Sequence, residues 1–227
     1  MRTIILFIYL FFVLIFSGVM ILVDKIVKFK PETSYNAIRS VAKHIDAIAG
    51  NKYELIGKEN IPTEAVFIVA NHESFFDPIS LVDIFEGPVA LIGKAELRKI
   101  PTMGYWGMKF GSDFIERDNM KQSIRVIINA SKTLKNGTSV LLFPEGTRNI
   151  ADEEFKAGSF KVAQNAKAGI LPVTVRNTSD VFEKNKFFQL KKSKPTITIH
   201  PVIKYEDYKE YDLITVSRDV QKIVNSK

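Results

Sequence analysis

Residues 65–78 read AVFIVANHESFFDP, an apolar run that opens directly into a polar loop. The unbroken apolar residues at its start predict a short strand that is buried on both faces. Strands of this kind occur in α/β domains, where ligands bind beyond the carboxyl ends of the strands. The polar loop that follows this strand is therefore a candidate functional site.

The same alternation continues along the rest of the chain. Apolar runs predict strands at residues 65–70, 89–92, 140–143, 170–175 and 196–203. Apolar residues spaced three or four positions apart predict helices at residues 78–85, 120–134, 155–168 and 217–224. Strands that alternate with helices predict an α/β fold in which helices flank a central, mostly parallel sheet.

Two local signals refine this pattern. Asp118 is the predicted cap of the helix at residues 120–134, and Gly137 is its predicted end. Pro172 falls inside the predicted strand 170–175. Because proline has no N–H to donate to a ladder, this position predicts either an edge strand or a bulge.

A segment without charge precedes the α/β pattern. Residues 3–23 hold no charged side chain, and a membrane-spanning helix needs about 20 such positions. The run is too long for a signal peptide and lacks a small-residue cleavage site, so we predict a retained, membrane-associated helix. We expect the chain at the cell membrane, and the lysines that follow the run favour a cytoplasmic position for the remaining domain. Length alone leaves open whether this helix spans the bilayer or lies in one leaflet.

The composition limits the possible partners and mechanisms. The formal net charge of +7 suits an anionic partner, such as an anionic membrane surface or a phosphorylated substrate. The absence of cysteine excludes a thiolate nucleophile and a cysteine-based zinc site. The H-E-x-x-H, G-x-S-x-G and P-loop patterns are also absent, so the sequence predicts no metal site and no protein nucleophile.

His72 and Asp77 are the candidate catalytic pair. Five positions of tight loop can bring the carboxylate of Asp77 to one ring nitrogen of His72, which fixes the imidazole tautomer. A histidine held in this way can take a proton from an alcohol. Two structural alternatives remain open: a lone histidine is often structural, and Asp77-Pro78 also fits the start of a helix.

Four blocks, in this order, resemble the glycerolipid acyltransferase family. Residues 71–77 (NHESFFD) match its His-x4-Asp motif, and residues 111–117 (GSDFIER) resemble its Gly-x-x-Phe-Ile-x-Arg block. Residues 143–148 (FPEGTR) match the third block without departure, and residues 170–173 (ILPV) resemble the fourth. Residues 94–106 also resemble the family's segment between the first two blocks.

The resemblance implies a reaction. The enzyme would transfer a fatty acyl group from an acyl thioester to the sn-2 hydroxyl of 1-acyl-sn-glycerol-3-phosphate, giving phosphatidic acid for phospholipid biosynthesis. Acyl-CoA or acyl-acyl carrier protein would be the co-substrate, with no bound cofactor and no nucleic acid partner. One alternative is another acceptor, either glycerol-3-phosphate or another lysophospholipid. A more distant one is a non-catalytic membrane lipid-binding protein.

The uncharged run, apolar residues at helical spacing between residues 33 and 49, and the family blocks together predict three parts of the chain. These are a hydrophobic membrane anchor at residues 1–30, an amphipathic helix at residues 31–52 and the catalytic domain at residues 53–227. The middle helix either lies along the membrane surface or packs on the domain.

The resemblance finally implies residue roles. His72 deprotonates the acceptor hydroxyl and Asp77 orients His72. Glu145 either holds an arginine or caps a loop, and the amide of Gly146 faces an oxyanion. The expected phosphate-binding residues are Arg117, Arg148, Lys94, Gly111 and Thr147, with Gly111 letting the substrate approach the backbone. The expected supporting residues are Asn71, Glu145, Gly146 and Phe114. The expected walls of the acyl pocket are Leu171 and Pro172.

Overall fold

The computed structural model describes residues 1–116, 119–148, 153–186 and 189–226. Within them lies a seven-stranded sheet in the order β1-β7-β6-β2-β5-β3-β4. Neighbouring strands are parallel except β6 and β7, so β1 and β7 run opposite to the others. This confirms the predicted α/β fold with its mostly parallel sheet. The strands are β1 (Glu54–Ile56), β2 (Phe67–Ala70), β3 (Val89–Lys94), β4 (Asp113–Ile115), β5 (Ser139–Leu142), β6 (Ile170–Arg176) and β7 (Thr196–Ile199).

Helices cover both faces of the sheet. They are α1 (Arg2–Val27), α2 (Pro31–Ala49), α3 (Asp77–Ile84), α4 (Gly107–Lys109), α5 (Met120–Lys135), α6 (Lys161–Ala166), α7 (Tyr205–Tyr208) and α8 (Leu213–Asn225). Phe67 and Val69 of β2 face the layer that contains α5, α6 and α8, whereas Ile68 and Ala70 face the layer that contains α1, α2 and α3. Both faces of the strand are buried, which explains its continuous apolar run.

The predicted elements are present with shifted ends. The helix expected at residues 155–168 is the shorter α6, preceded by a 3-10 turn at Ala157–Phe160. The cap of α5 is Asn119, whose side chain accepts a hydrogen bond from the N–H of Gln122; Asp118, the predicted cap, lies outside the described residues. The sequence does not predict β1 and β4, because three residues are too few to show a period.

Pro172 lies on an interior strand, so the predicted edge position is wrong. β6 pairs Val173 with Ile199 but Ile170 with Ile203, which leaves one extra residue on the side of β7. Pro172 sits at this bulge, where its carbonyl accepts a hydrogen bond from the N–H of His200 at 3.0 Å. The predicted bulge is therefore confirmed, and it is the place where a missing N–H is tolerated.

Helix α1 is held along the domain by polar side chains within its apolar sequence. Ser17, in the middle of α1, accepts a hydrogen bond from the indole Nε1 of Trp106 at 2.9 Å. Near the end of α1, the carboxylate of Asp24 accepts a hydrogen bond from the hydroxyl of Tyr105 at 2.7 Å and pairs with Lys109. Trp106 and Tyr105 belong to a π-helical turn, so this turn is the docking point for the second half of α1.

The first half of α1 and the whole of α2 also pack on the domain. Thr3 accepts a hydrogen bond from the N–H of Leu190 at 3.1 Å, and Leu6 and Leu10 contact the core near Phe76. Tyr35 of α2 is fully buried, and its ring lies edge-on to the ring of Phe110 in the same core layer. Of the two placements considered for the amphipathic helix, packing on the domain is the one observed.

Removing the hydroxyl of Ser17 should weaken the docking of α1. Trp106 is buried, so Ser17→Ala leaves its indole N–H without an acceptor, and we expect a loss of about 1–3 kcal/mol in the free energy of unfolding. Denaturant unfolding of the protein in detergent measures this loss, and Ser17→Thr, which keeps the hydroxyl, is the matched control. In a Trp106→Phe background the same substitution should cost much less. Equal costs in both backgrounds would contradict this account of the contact.

Candidate active site

The parallel strands bring the motif segments to one edge of the sheet. Residues 71–77 follow β2 and residues 143–148 follow its neighbour β5, so both loops leave the sheet about 5 Å apart. Lys94 ends β3 at the same edge, where it is exposed. Arg117 follows β4, but it lies outside the described residues. The edge formed by β2, β5, β3 and β4 is therefore the candidate active site.

The imidazole of His72 is fixed at two places. Its Nδ1 lies 2.8 Å from Oδ2 of Asp77, as the spacing of the two residues predicts. Its ring stacks on Phe143, the first residue of the FPEGTR block, with centroids 4.2 Å apart and planes 22° apart. Because Oδ2 of Asp77 also accepts hydrogen bonds from two backbone N–H groups, we assign Nδ1 as a donor to it, which leaves Nε2 as the basic nitrogen.

Asp77 is completely buried and organises the loop around it. The same Oδ2 atom accepts hydrogen bonds from the backbone N–H groups of Glu73 and Ser74, at 2.7 and 2.8 Å. These donors offset part of the cost of burying a carboxylate, whose other oxygen, Oδ1, has no hydrogen-bond partner among the described residues. Asp77 is also the first residue of α3, so its structural and site-forming roles are compatible.

Asn71 and Glu145 hold the base of the loop. The amide of Asn71 exchanges two hydrogen bonds with the backbone of Val175, at 2.7 and 2.8 Å, and so ties the end of β2 to β6. Oε2 of the buried Glu145 accepts a hydrogen bond from the backbone N–H of His72 at 3.2 Å. Glu145 therefore caps the loop, which is one of its two predicted roles. Burial raises the pKa of Glu145 to about 7, against the opposing effect of the His72 N–H.

One cation belongs to the FPEGTR block and a second lies beside it. Arg148 is half-exposed, and its Nη1 lies 3.3 Å from Oε1 of Glu183. Lys156 places its Nζ only 2.9 Å from the point where a Cβ on Gly146 would lie. The sequence gives no signal for Lys156 or Glu183, because each is a common residue type and neither belongs to a recognised block.

Several predicted site residues have other surroundings than expected. The N–H of Gly146 donates to the carbonyl of Phe143 at 3.0 Å, so in this structure the amide has an internal partner and does not face an open oxyanion position. Thr147 donates its hydroxyl to Glu153 at 3.3 Å. Gly111 has a φ of +85°, and the side chain of Thr133 fills the space where its Cβ would be. Gly111 thus admits α5 rather than a substrate.

The remaining predicted residues are buried. Phe114 of β4 is buried and packs against Gly93 of the neighbouring strand β3, where it supports the sheet beside the site. Leu171 is completely buried in the core layer of α1, α2 and α3, and Pro172 is buried beside it. A completely buried side chain is part of the core, so Leu171 does not line an open pocket in this structure.

Known proteins are similar to this chain in sequence. The 1-acyl-sn-glycerol-3-phosphate acyltransferase of Borreliella burgdorferi is 33% identical over 82% of this chain and 76% of that protein. The probable 1-acyl-sn-glycerol-3-phosphate acyltransferase of Mycoplasma pneumoniae is 34% identical over 71% of this chain and 63% of that protein.

A solved structure is similar as well. The crystal structure of the 1-acyl-sn-glycerophosphate (LPA) acyltransferase PlsC from Thermotoga maritima matches with a TM-score of 0.75 and 24% identity. The match covers 98% of this chain and 95% of the Thermotoga maritima chain, and it shows that the two have a similar fold. The sequence model of the acyltransferase family matches residues 52–176, more than half of the chain. The chain therefore belongs to the acyltransferase family and is an enzyme of the O-acyltransferase class.

Proposed function

We propose that this enzyme transfers a fatty acyl group from an acyl thioester to the sn-2 hydroxyl of 1-acyl-sn-glycerol-3-phosphate, giving phosphatidic acid. The observation that carries the proposal is the imidazole of His72, held at Nδ1 by Asp77 and over its face by Phe143. This arrangement directs the chemistry to Nε2. The names of the two bacterial relatives, which state the same acceptor, support it.

The reaction follows from a fixed base without a protein nucleophile. Nε2 of His72 accepts the proton of the acceptor hydroxyl while the oxygen attacks the thioester carbonyl. The buried carboxylate of Asp77 stabilises the imidazolium that forms. The carbon–sulfur bond then breaks, the imidazolium returns the proton to the leaving thiolate, and the products are an ester and a free thiol. The thiol belongs to coenzyme A or to acyl carrier protein.

The phosphate of the acceptor accounts for the cations at the site. Arg148 is half-exposed and can grip phosphate oxygens with the two arms of its guanidinium. Lys156 lies beside the same block and adds a second positive charge. Lys94, at the end of β3, and Arg117, which follows β4 in the sequence, remain proposed phosphate ligands. A lysophospholipid whose phosphate carries a further headgroup would meet these cations less directly.

Loss of the His72 ring should abolish most of the activity. General base catalysis contributes about 10²–10⁴-fold, so we expect His72→Ala to lower kcat by about that factor. The assay uses purified enzyme, 1-acyl-sn-glycerol-3-phosphate and labelled acyl donors, with separation of the lipid products. His44→Ala is the matched control, because His44 lies on α2 beside Tyr9 and outside the site.

The same assay separates the alternatives. Equal activity of His72→Ala and the unchanged enzyme would contradict base catalysis by His72. No transfer by the unchanged enzyme to any acceptor would favour a non-catalytic lipid-binding protein. Preference for glycerol-3-phosphate or another lysophospholipid would change the acceptor but keep the site.

We further propose that α1 lies in one leaflet of the membrane rather than across it. It is the one helix among the described residues that is long and apolar enough to cross a bilayer. Its contacts with the domain run from Thr3 to Asp24, a length of about 30 Å, so it lies along the domain over nearly its whole length and does not project from it. Its outer face is apolar and exposed, with Phe12 and Phe16 both more than half exposed. Such a helix inserts parallel to the membrane surface.

The surroundings of α1 support an anionic membrane surface as partner. A shallow depression near the amino end of α1 is lined by Lys52, Lys192 and Lys194, and the guanidinium of Arg2 lies close to Gly50 in the same depression. Basic residues near a bilayer are attracted to anionic lipids. The acceptor keeps its acyl chain in the bilayer, at about 0.8 kcal/mol per buried methylene, so an enzyme fixed at the interface avoids extracting it. We place the domain on the cytoplasmic side of the cell membrane.

Charges on the outer face of α1 should release the enzyme from membranes. Burial of a Phe side chain contributes about 1.5–3 kcal/mol, so Phe12→Glu with Phe16→Glu should lower binding to anionic phospholipid vesicles at least about tenfold. Vesicle co-sedimentation measures this. The matched control is Ile124→Glu with Ile128→Glu, an exposed pair with the same spacing on α5 in the opposite helix layer. Unchanged binding of the α1 variant, or equal loss in both, would contradict the placement.

A further inference from the structure

Glu183 connects two parts of the site that the sequence blocks leave separate. Its Oε2 accepts a hydrogen bond from the hydroxyl of Ser74 at 2.8 Å, and its Oε1 accepts one from the N–H of Phe75 at 2.7 Å. Oε1 also lies 3.3 Å from Nη1 of Arg148. Ser74 and Phe75 belong to the loop between the base and its aspartate. One carboxylate therefore contacts both the base loop and the proposed phosphate ligand.

The backbone holds Glu183 firmly in this place. It follows the 3-10 turn Thr178–Val181, in which Thr178 and Val181 are fully buried. The N–H of Lys184 donates to the carbonyl of Ser179 at 3.1 Å, so the chain is fixed on both sides of Glu183. The exposed residue Glu183 is thus carried by a turn whose preceding residues are anchored in the core.

The ion pair with Arg148 has little to offer stability. The guanidinium is half-exposed, only Nη1 contacts the carboxylate, and exposed pairs of this kind contribute about 0–1 kcal/mol. An arginine has five N–H donors, so this contact leaves others for a phosphate. A carboxylate here also repels a phosphate. Pure electrostatics would therefore favour phosphate binding without Glu183.

We propose that Glu183 is a positioning residue that sets the placement of Arg148 relative to the base His72. The hydroxyl and the phosphate of one acceptor molecule must reach the two side chains at the same time. Displacements of about 1 Å can cost about 10²-fold in rate, so a shared anchor for both is of direct use. This inference rests on the proposed function, because it takes Arg148 as the ligand of the acceptor phosphate.

The proposal makes different predictions for two substitutions. Glu183→Gln keeps groups that can bond to Ser74 and Phe75 but loses the charge that orients Arg148. We expect its KM for 1-acyl-sn-glycerol-3-phosphate to rise about two- to fivefold, with kcat little changed. Glu183→Ala also removes the acceptors of the base loop, and its kcat should fall at least about tenfold. In an Arg148→Ala background, Glu183→Gln should have no further effect on KM.

Asp180→Asn is the matched control for these variants. It removes the exposed pair between Asp180 and Lys184, 2.8 Å apart on the same turn, and should leave both constants unchanged. An unchanged or lowered KM for Glu183→Gln would overturn the proposal, as would an equal effect of Asp180→Asn. Thermal unfolding checks that each variant is folded, and Glu183→Gln decides the question if Glu183→Ala is not. Failure of the proposed function would show in the unchanged enzyme as absence of transfer, so the two failures are distinguishable.

Discussion

Three nitrogen atoms converge on a single carboxylate oxygen, Oδ2 of the fully buried Asp77. Two come from the backbone of the loop and the third from the ring of His72. A buried carboxylate is tolerated only when such donors compensate for lost water. The carboxylate therefore folds the loop tightly and sets the imidazole tautomer in one step. The other side chains of the site are therefore described by their positions relative to the His72 ring.

The sheet supplies the frame for this interaction. The strands β2, β5, β3 and β4 are parallel neighbours in the sheet, although they are not consecutive in the sequence. Their carboxyl ends therefore meet at one edge. The base loop leaves β2 and the FPEGTR block leaves β5, so Phe143 lies under the ring and Glu145 caps the loop backbone. Glu183 arrives from the other neighbour of β2, after β6. Contacts from both neighbouring strands thus hold the loop that contains the base.

The sequence predicts the parts of this structure that depend on local patterns. Continuous apolar runs predict the buried strands, and the spacing of His72 and Asp77 predicts their contact. Contacts between distant positions are not predictable in this way. Glu145 reaches a backbone N–H 73 positions away, and Glu183 reaches a loop more than 100 positions away. The same limit applies to α1: its apolar length indicates a membrane helix, but Ser17 gives no sign that it docks on Trp106.

The tautomer of His72 tests the central claim most directly. The chain has three histidines, so ¹⁵N-histidine labelling with a His72→Gln variant for assignment gives a resolved NMR spectrum of this ring. In the neutral form we predict a proton on Nδ1, shifted downfield by its hydrogen bond, and an unprotonated Nε2. Asp77→Asn should remove that downfield signal. A proton on Nε2 of the neutral ring, or rapid exchange between the two tautomers, would contradict the account.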